Sequence, residues 1–174
     1  VTGIDFKVET CKFLKLWWVE DLSLEKFMKL LVAVDFSDSS RKVLDYVKDL
    51  AKAVSGKIWL LHVAEPDPDF VGYEVGPSEV RDAVARRFHQ EHQQLQQLSQ
   101  ELRSKGSACE ALLIQGPTVK TILREIEKLS VDMVVLGSHG KGLLRHILVG
   151  STSEGVLQKS SIPVLVVPTH SRTS

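Results

Sequence analysis

The sequence predicts an α/β domain built on a doubly wound, five-stranded parallel sheet with helices on both faces. Three observations lead there. Short apolar runs alternate along the chain with longer stretches in which apolar residues recur every three to four positions. The runs are nearly unbroken, as in strands covered on both faces. Glycine, proline and serine punctuate the junctions between the two kinds of segment. Right-handed crossovers then wind the sheet in both directions from its middle.

The elements follow in order from Met28. Lys29 to Val34 is the first apolar run, and Ser37-Asp38-Ser39 then supply N-cap oxygens. Val43, Leu44, Val47, Leu50, Ala51 and Val54 line one helix face, and Gly56 stops that helix. Ile58 to Val63 is the second run. Residues 64 to 77 hold three prolines and two glycines and read as a loop. A long helix carries Val80, Val84, Phe88, Leu95, Leu98 and Leu102 on one stripe until Gly106. Cys109 to Ile114 is the third strand. Gly116-Pro117 opens a helix whose apolar face is Val119, Ile122, Leu123, Ile126 and Leu129. Asp132 to Leu136 is the fourth strand, and residues 137 to 150 form a glycine-punctuated loop. A helix from about Ser151 to Lys159 leads to a last strand, Val164 to Val167, between Pro163 and Pro168.

The chain divides into an N-terminal segment, 1–27, the domain proper, 28–168, and a short tail, 169–174. Residues 1–27 read either as an extension foreign to the domain or as an amphipathic arm that docks Trp17 and Trp18. The apolar patch at 13–19 is too short to span a bilayer, and no membrane span is expected. Lys plus Arg and Asp plus Glu are balanced at 22 each, which argues against nucleic acid as a partner. The two cysteines, Cys11 and Cys109, have no metal-like spacing and point to a reducing, cytoplasmic setting.

Doubly wound sheets bind ligands beyond the carboxyl ends of their strands, where strand order reverses. The residues at those ends are Asp35, the pair His62 and Val63 with Glu65, and Gly137-Ser138-His139-Gly140. The last group runs through Gly142 to Gly150-Ser151-Thr152-Ser153, where a helix begins. Glycines admit an anion close to backbone N–H groups, and a helix N-terminus adds donors and a positive dipole end. That combination is a phosphate cradle on physical grounds. It is not a P-loop, because the first turn, Asp35-Phe36-Ser37-Asp38, has neither glycine nor lysine. Asp35 reads as a ligand contact or a helix cap, and His62 as a satisfied core or rim histidine. Lys141, Arg145 and His146 form a small basic cluster beside the cradle, and His139 lies inside it.

The spacing Gly137-x2-Gly140-x9-Gly150-Ser151 resembles the nucleotide-binding signature of the ATP-binding branch of the universal stress protein family. Val32-Ala33-Val34-Asp35-Phe36-Ser37, Leu60-Leu61-His62-Val63, Gly116-Pro117 and Ile162-Pro163-Val164-Leu165-Val166-Val167 are similar to that family in the same order. The resemblance implies strand order 3-2-1-4-5, with a nucleotide across strands one and four. It places Ala33, Val34 and Leu136 against the base and Asp35 at the ribose or adenine end, with the Val63 backbone on the adenine edge. Gly137, Ser138, His139 and Gly140 would pass the ribose and phosphates. Gly150, Ser151, Thr152 and Ser153 would hold the phosphates of ATP, ADP or AMP, with Mg or Mn bound through them. Ala33-Val34 departs from the Pro-Thr of some members, and Thr152 replaces a common small aliphatic residue.

The function implied is an adenine-nucleotide-binding stress-response regulator with at most slow ATP hydrolysis. An adenylating or phosphoryl-transfer enzyme, or a nucleotide-free adaptor, are the alternatives on the same scaffold. In the implied order Val164–Val167 is an exposed edge, and edge pairing would make a homodimer.

Overall fold

The computed structural model describes residues 27–64, 78–138 and 150–169. The expectations for segment 1–26, the loop at 65–77, positions 139–149 and the tail beyond residue 169 therefore lie outside the described residues. Along the rest, β1 (Lys29–Ala33), α1 (Asp38–Ala53), β2 (Lys57–Ala64), α2 (Ser78–Ser104) and β3 (Ala108–Gln115) come first. They are followed by α3 (Thr118–Leu129), β4 (Met133–Gly137), α4 (Ser151–Lys159) and β5 (Val164–Val167). All strand pairs are parallel, in the order β3-β2-β1-β4-β5. The expected fold class and strand order are both found.

The period-two alternation of each strand sorts its side chains onto two cores. Leu30, Val32 and Val34 join Ile58, Leu60 and Val135 beneath α1 and α2, where Val43, Val47, Leu95 and Leu102 meet them. Leu31, Trp59, Leu61, Val63, Val134 and Leu136 face the other way, against Ile122 and Ile126 of α3 and Val156 of α4. Both faces of β1, β2 and β4 are thereby buried, and this is why those strands read as continuous apolar runs.

Two sequence expectations shift. The stripe on α2 is buried only in its second half: Leu95, Ser99 and Leu102 are enclosed, whereas Phe88 is 38% exposed. At 27 residues this helix is roughly 40 Å long, and an eight-residue strand reaches only about 27 Å, so the helix outruns the sheet. At the end of α1 the left-handed residue is Ser55, with φ 47°, rather than Gly56. Gly56 serves the close approach instead. A Cβ there would stand 3.2 Å from the Met28 carbonyl oxygen and 3.3 Å from Leu30 Cδ1.

Cys109 is buried on β3, with its sulfur 3.4 Å from Ser99 Oγ. Burial pushes its thiol above the usual range, so it behaves as a packed side chain and not as a nucleophile.

Gly116 ends β3 in a conformation open to glycine, at φ 156°, and its missing Cβ would lie 2.7 Å from Thr121 Oγ1, on a buried side chain. Gly116→Ala is expected to lower stability by about 1–3 kcal/mol. Urea unfolding followed by circular dichroism measures it, and an unchanged midpoint refutes the assignment.

Candidate functional site

Because β1 pairs with β2 on one side and β4 on the other, strand order reverses between β1 and β4. The carboxyl ends of these strands are where a doubly wound sheet offers a crevice.

At the end of β1, the Val34 N–H donates to the Leu61 carbonyl at 2.9 Å, carrying the pairing with β2 one residue past the strand. The chain then turns sharply through Phe36, whose φ of 59° is left-handed and uncommon for a large side chain. Asp35 holds this turn. Its Oδ1 accepts from the Ser37 N–H at 3.1 Å, the Ser37 hydroxyl at 2.6 Å and the Ser40 hydroxyl at 2.8 Å. Ser37 is the N-cap residue of α1, but its side chain makes no capping bond and serves Asp35 instead. Ser40 Oγ also accepts the Asp35 N–H at 3.2 Å.

At the end of β2, His62 is a buried histidine with one ring nitrogen hydrogen-bonded. Its Nδ1 lies 2.7 Å from the Val34 carbonyl oxygen. A carbonyl only accepts, so Nδ1 carries the hydrogen. The ring lies 4.2 Å from that of Phe36, centroid to centroid. Glu91 of α2 places Oε2 3.8 Å from His62 Nε2, and that buried oxygen makes no hydrogen bond among the described residues. Val63, next along, is buried with the second core.

At the end of β4, Leu136 is buried and Gly137 half-buried. The Ser138 N–H donates to the Val167 carbonyl at 2.8 Å, and the Gly150 N–H donates to the Ser138 carbonyl at 2.6 Å. These two amides are engaged within the protein. The hydroxyls of Ser138 and Ser153 are also turned inward. Ser138 Oγ is 3.1 Å from Thr169 Oγ1, and Ser153 Oγ donates to the Gly137 carbonyl at 2.7 Å. Gly150 is the N-cap of α4 and brings no side-chain cap. The first helical bond runs from the Glu154 N–H to the Gly150 carbonyl at 2.9 Å. Ser151, Thr152 and Ser153 precede it, and by position their N–H groups have no acceptor within the helix.

At the end of β4, the described groups suited to an anion are therefore those of the first turn of α4. The structure gathers Ala33, Val34, Asp35, Val63, Leu136, Gly137 and the start of α4 at the carboxyl ends of neighbouring strands. His139, Gly140, Lys141, Arg145 and His146 lie outside the described residues. Sequence reasoning missed Ser40, Phe36 and Thr169. The Asp35-x-Ser37-x2-Ser40 spacing was the available signal for the first, since short polar side chains in a turn bond to one another. Among the described residues there is no group of three or more His, Cys, Asp or Glu placed to hold a metal. No helix among them is long and apolar enough to cross a membrane.

A groove of about 710 Å³ opens elsewhere, between the exposed half of α2 and β3, with Arg81, Phe88, His92 and Gln115 on its walls. It stands on the far side of β2 from the β1–β4 reversal.

The sequence model of the universal stress protein family matches residues 26–168. The chain belongs to the universal stress protein family. The universal stress protein YxiE of Bacillus subtilis is 31% identical over 146 residues, covering 81% of this chain and 99% of YxiE. The Methanocaldococcus jannaschii universal stress protein MJ0577 is 28% identical over 153 residues, 81% of this chain and 94% of its own. The solved structure of MJ0577 superposes with a TM-score of 0.71 at 29% identity, covering 83% of this chain and 98% of that one. UspA from Lactobacillus plantarum shares the fold with a TM-score of 0.66 at 21% identity, over 81% and 97% of the two chains. The family match spans the sheet, its helices and every strand end described above.

His62→Leu in this universal stress protein domain removes the imidazole donor from the buried Val34 carbonyl. It is expected to lower stability by about 1–3 kcal/mol, read from the urea midpoint. No loss would show that His62 does not support the β1 turn.

Proposed function

We propose that this universal stress protein domain binds an adenine nucleotide, ATP foremost, and acts as a dimeric stress-response regulator in the cytoplasm. The observation that carries the reading is the N-terminus of α4. A glycine cap without a side-chain cap leaves first-turn amides at the carboxyl end of β4, across the strand reversal from Asp35. Such a terminus favours phosphate through its N–H groups and its dipole. Ala33, Val34 and Leu136 would lie toward a base, and the Val63 backbone would read its edge. Asp35 would accept from the ribose.

The chemistry of these residues suits a nucleotide: first-turn amides of α4 are anion donors, and the Asp35 carboxylate is an acceptor for hydroxyls. Gly137 and Gly140 would let the chain pass the ribose and phosphates. Ser138, His139, Gly150, Ser151, Thr152 and Ser153 complete the set, with Ser138 and Ser153 shaping the backbone through their own hydrogen bonds. Mg or Mn would sit on the phosphate oxygens, which are hard ligands for such ions. Hydrolysis would be slow and secondary to binding. Adenine nucleotides also occur among structural neighbours. One universal stress protein is in complex with cAMP at 20% identity, and one from Archaeoglobus fulgidus is in complex with dAMP at 19%.

Calorimetric titration with ATP and Mg tests the site. Gly140→Val and Gly150→Val are expected to abolish binding while leaving the circular dichroism spectrum unchanged, because a side chain blocks the backbone approach. Wild-type affinity in either variant refutes the assignment.

β5 stands at one edge of the sheet, and Leu165 on it is 37% exposed. An apolar edge of this kind pairs with a second copy about a two-fold axis. Light scattering at micromolar concentration is expected to give twice the chain mass, and Leu165→Lys to give the single-chain mass. A monomeric wild-type protein removes the dimer from the proposal.

A further inference from the structure

We propose that Thr169 is a positioning residue that ties the two sides of the β1–β4 crevice together, and that it thereby sets how tightly the site holds the phosphates of a nucleotide. The inference rests on the reading of that crevice as a nucleotide site. It adds a residue that lies one position beyond the family match at 26–168.

The tie runs through the side chain and the backbone of one buried residue. On the β4 side, the Thr169 N–H donates to Ser138 Oγ at 3.0 Å, and Thr169 Oγ1 lies 3.1 Å from the same oxygen. On the β1 side, Lys42 donates from Nζ to the Thr169 carbonyl at 2.7 Å. Lys42 belongs to α1, the helix that follows the Asp35 turn. A residue after β5 therefore bridges the elements that follow β1 and β4. From Ser138 the connection continues to α4. The Ser138 N–H donates to the Val167 carbonyl, and the Ser138 carbonyl accepts the Gly150 N–H. Gly150 caps α4 without a side chain, so no local cap fixes the direction of its first turn. Long-range bonds do so instead, through Ser138 and through Ser153 Oγ on the Gly137 carbonyl at 2.7 Å.

The choice of residue at 169 points the same way. Val167 is buried, Pro168 is exposed and Thr169 is buried again, so Thr169 continues the inward alternation of β5. Packing at such a position asks only for an apolar side chain. A hydroxyl there costs free energy unless it is hydrogen-bonded. The partner it finds is the side chain of Ser138, the residue whose carbonyl holds the start of α4. Thr169 is thus held from α1 and in turn holds the β4 turn, and a shift at 169 moves the phosphate side of the crevice relative to the Asp35 side.

The test measures ATP with Mg, and adenosine by its displacement of ATP, in calorimetry on the full chain. In the proposed site ATP reaches across to α4, whereas adenosine meets only the base and sugar side. Thr169→Val is expected to weaken ATP about three- to tenfold, the scale of one hydrogen bond, with adenosine within about twofold of wild type. Thr169→Ser is expected to keep wild-type ATP affinity. Lys42→Met is expected to weaken ATP as well, and the double variant to lose less than the product of the two single losses, because both substitutions cut one tie. If Thr169→Val does not fold, as judged by circular dichroism, Thr169→Ala decides by the same criterion. Unchanged ATP affinity in the Thr169 variant, or a parallel loss for ATP and adenosine, overturns the proposal. Losses that multiply in the double variant overturn the bridge to α1, since Lys42 then acts apart from Thr169. A wild-type protein that binds neither ligand, or both alike, overturns the nucleotide reading beneath the proposal.

Discussion

The parallel pairing of β1 with β4 is the contact on which the candidate site depends. It is anchored at the amino ends of the two strands, where the Lys29 N–H donates to Asp132 Oδ2 and the Asp132 N–H to the Lys29 carbonyl, each at 2.8 Å. From there Leu30, Leu31 and Val32 run beside Met133, Val134 and Val135. Two residues further on, the chains reach Val34 and Gly137, and the turns that carry Asp35 and Ser138 begin. A slip of one residue would send Leu31 and Val134 into the opposite core and displace both turns together, so packing of two separate cores enforces the register.

The two turns are stabilised differently. The β1 turn stores strain at Phe36, on the order of 1–2 kcal/mol for a non-glycine residue in left-handed backbone. Three hydrogen bonds to the Asp35 carboxylate, each worth about 1.5–3 kcal/mol when the acceptor is charged, are enough to offset it. The β4 side relies on long-range partners. Ser138 is held by Val167 and Thr169, and Thr169 is held in turn by Lys42 of α1, whose Nζ donates to its carbonyl at 2.7 Å. The segment after β5 is therefore part of the support for the β4 turn.

The fold was legible because both-face burial writes itself as unbroken apolar runs, and helices on a sheet as three-to-four spacing. β5 was read to the residue, and β1 and β4 to within one. The exposed half of α2 was not legible. Phe88 lies on the same stripe as Leu95, and only the length of the neighbouring strands decides which of them is covered. At the site, the backbone positions could be read and the hydroxyl partners could not. Ser138 finds Thr169, 31 residues on, and Ser153 finds Gly137, 16 residues back. Spacing in sequence carries no record of such pairings. Ser40 differs in kind: its partner is five residues away, within reach of turn chemistry.

The hydroxyls of Ser138 and Ser153 are already committed within the protein. If serine side chains supplied the anion donors, each would have to be desolvated and reoriented when a ligand arrived. Here Ser138 and Ser153 instead bond to Thr169 and Gly137, and the Gly150 N–H bonds back to the Ser138 carbonyl at 2.6 Å, so the chain leaves and re-enters the sheet at one pinned point. The donors this leaves to meet an anion include main-chain amides on a helix whose start is already fixed. Donors fixed in this way lose little freedom when an anion binds.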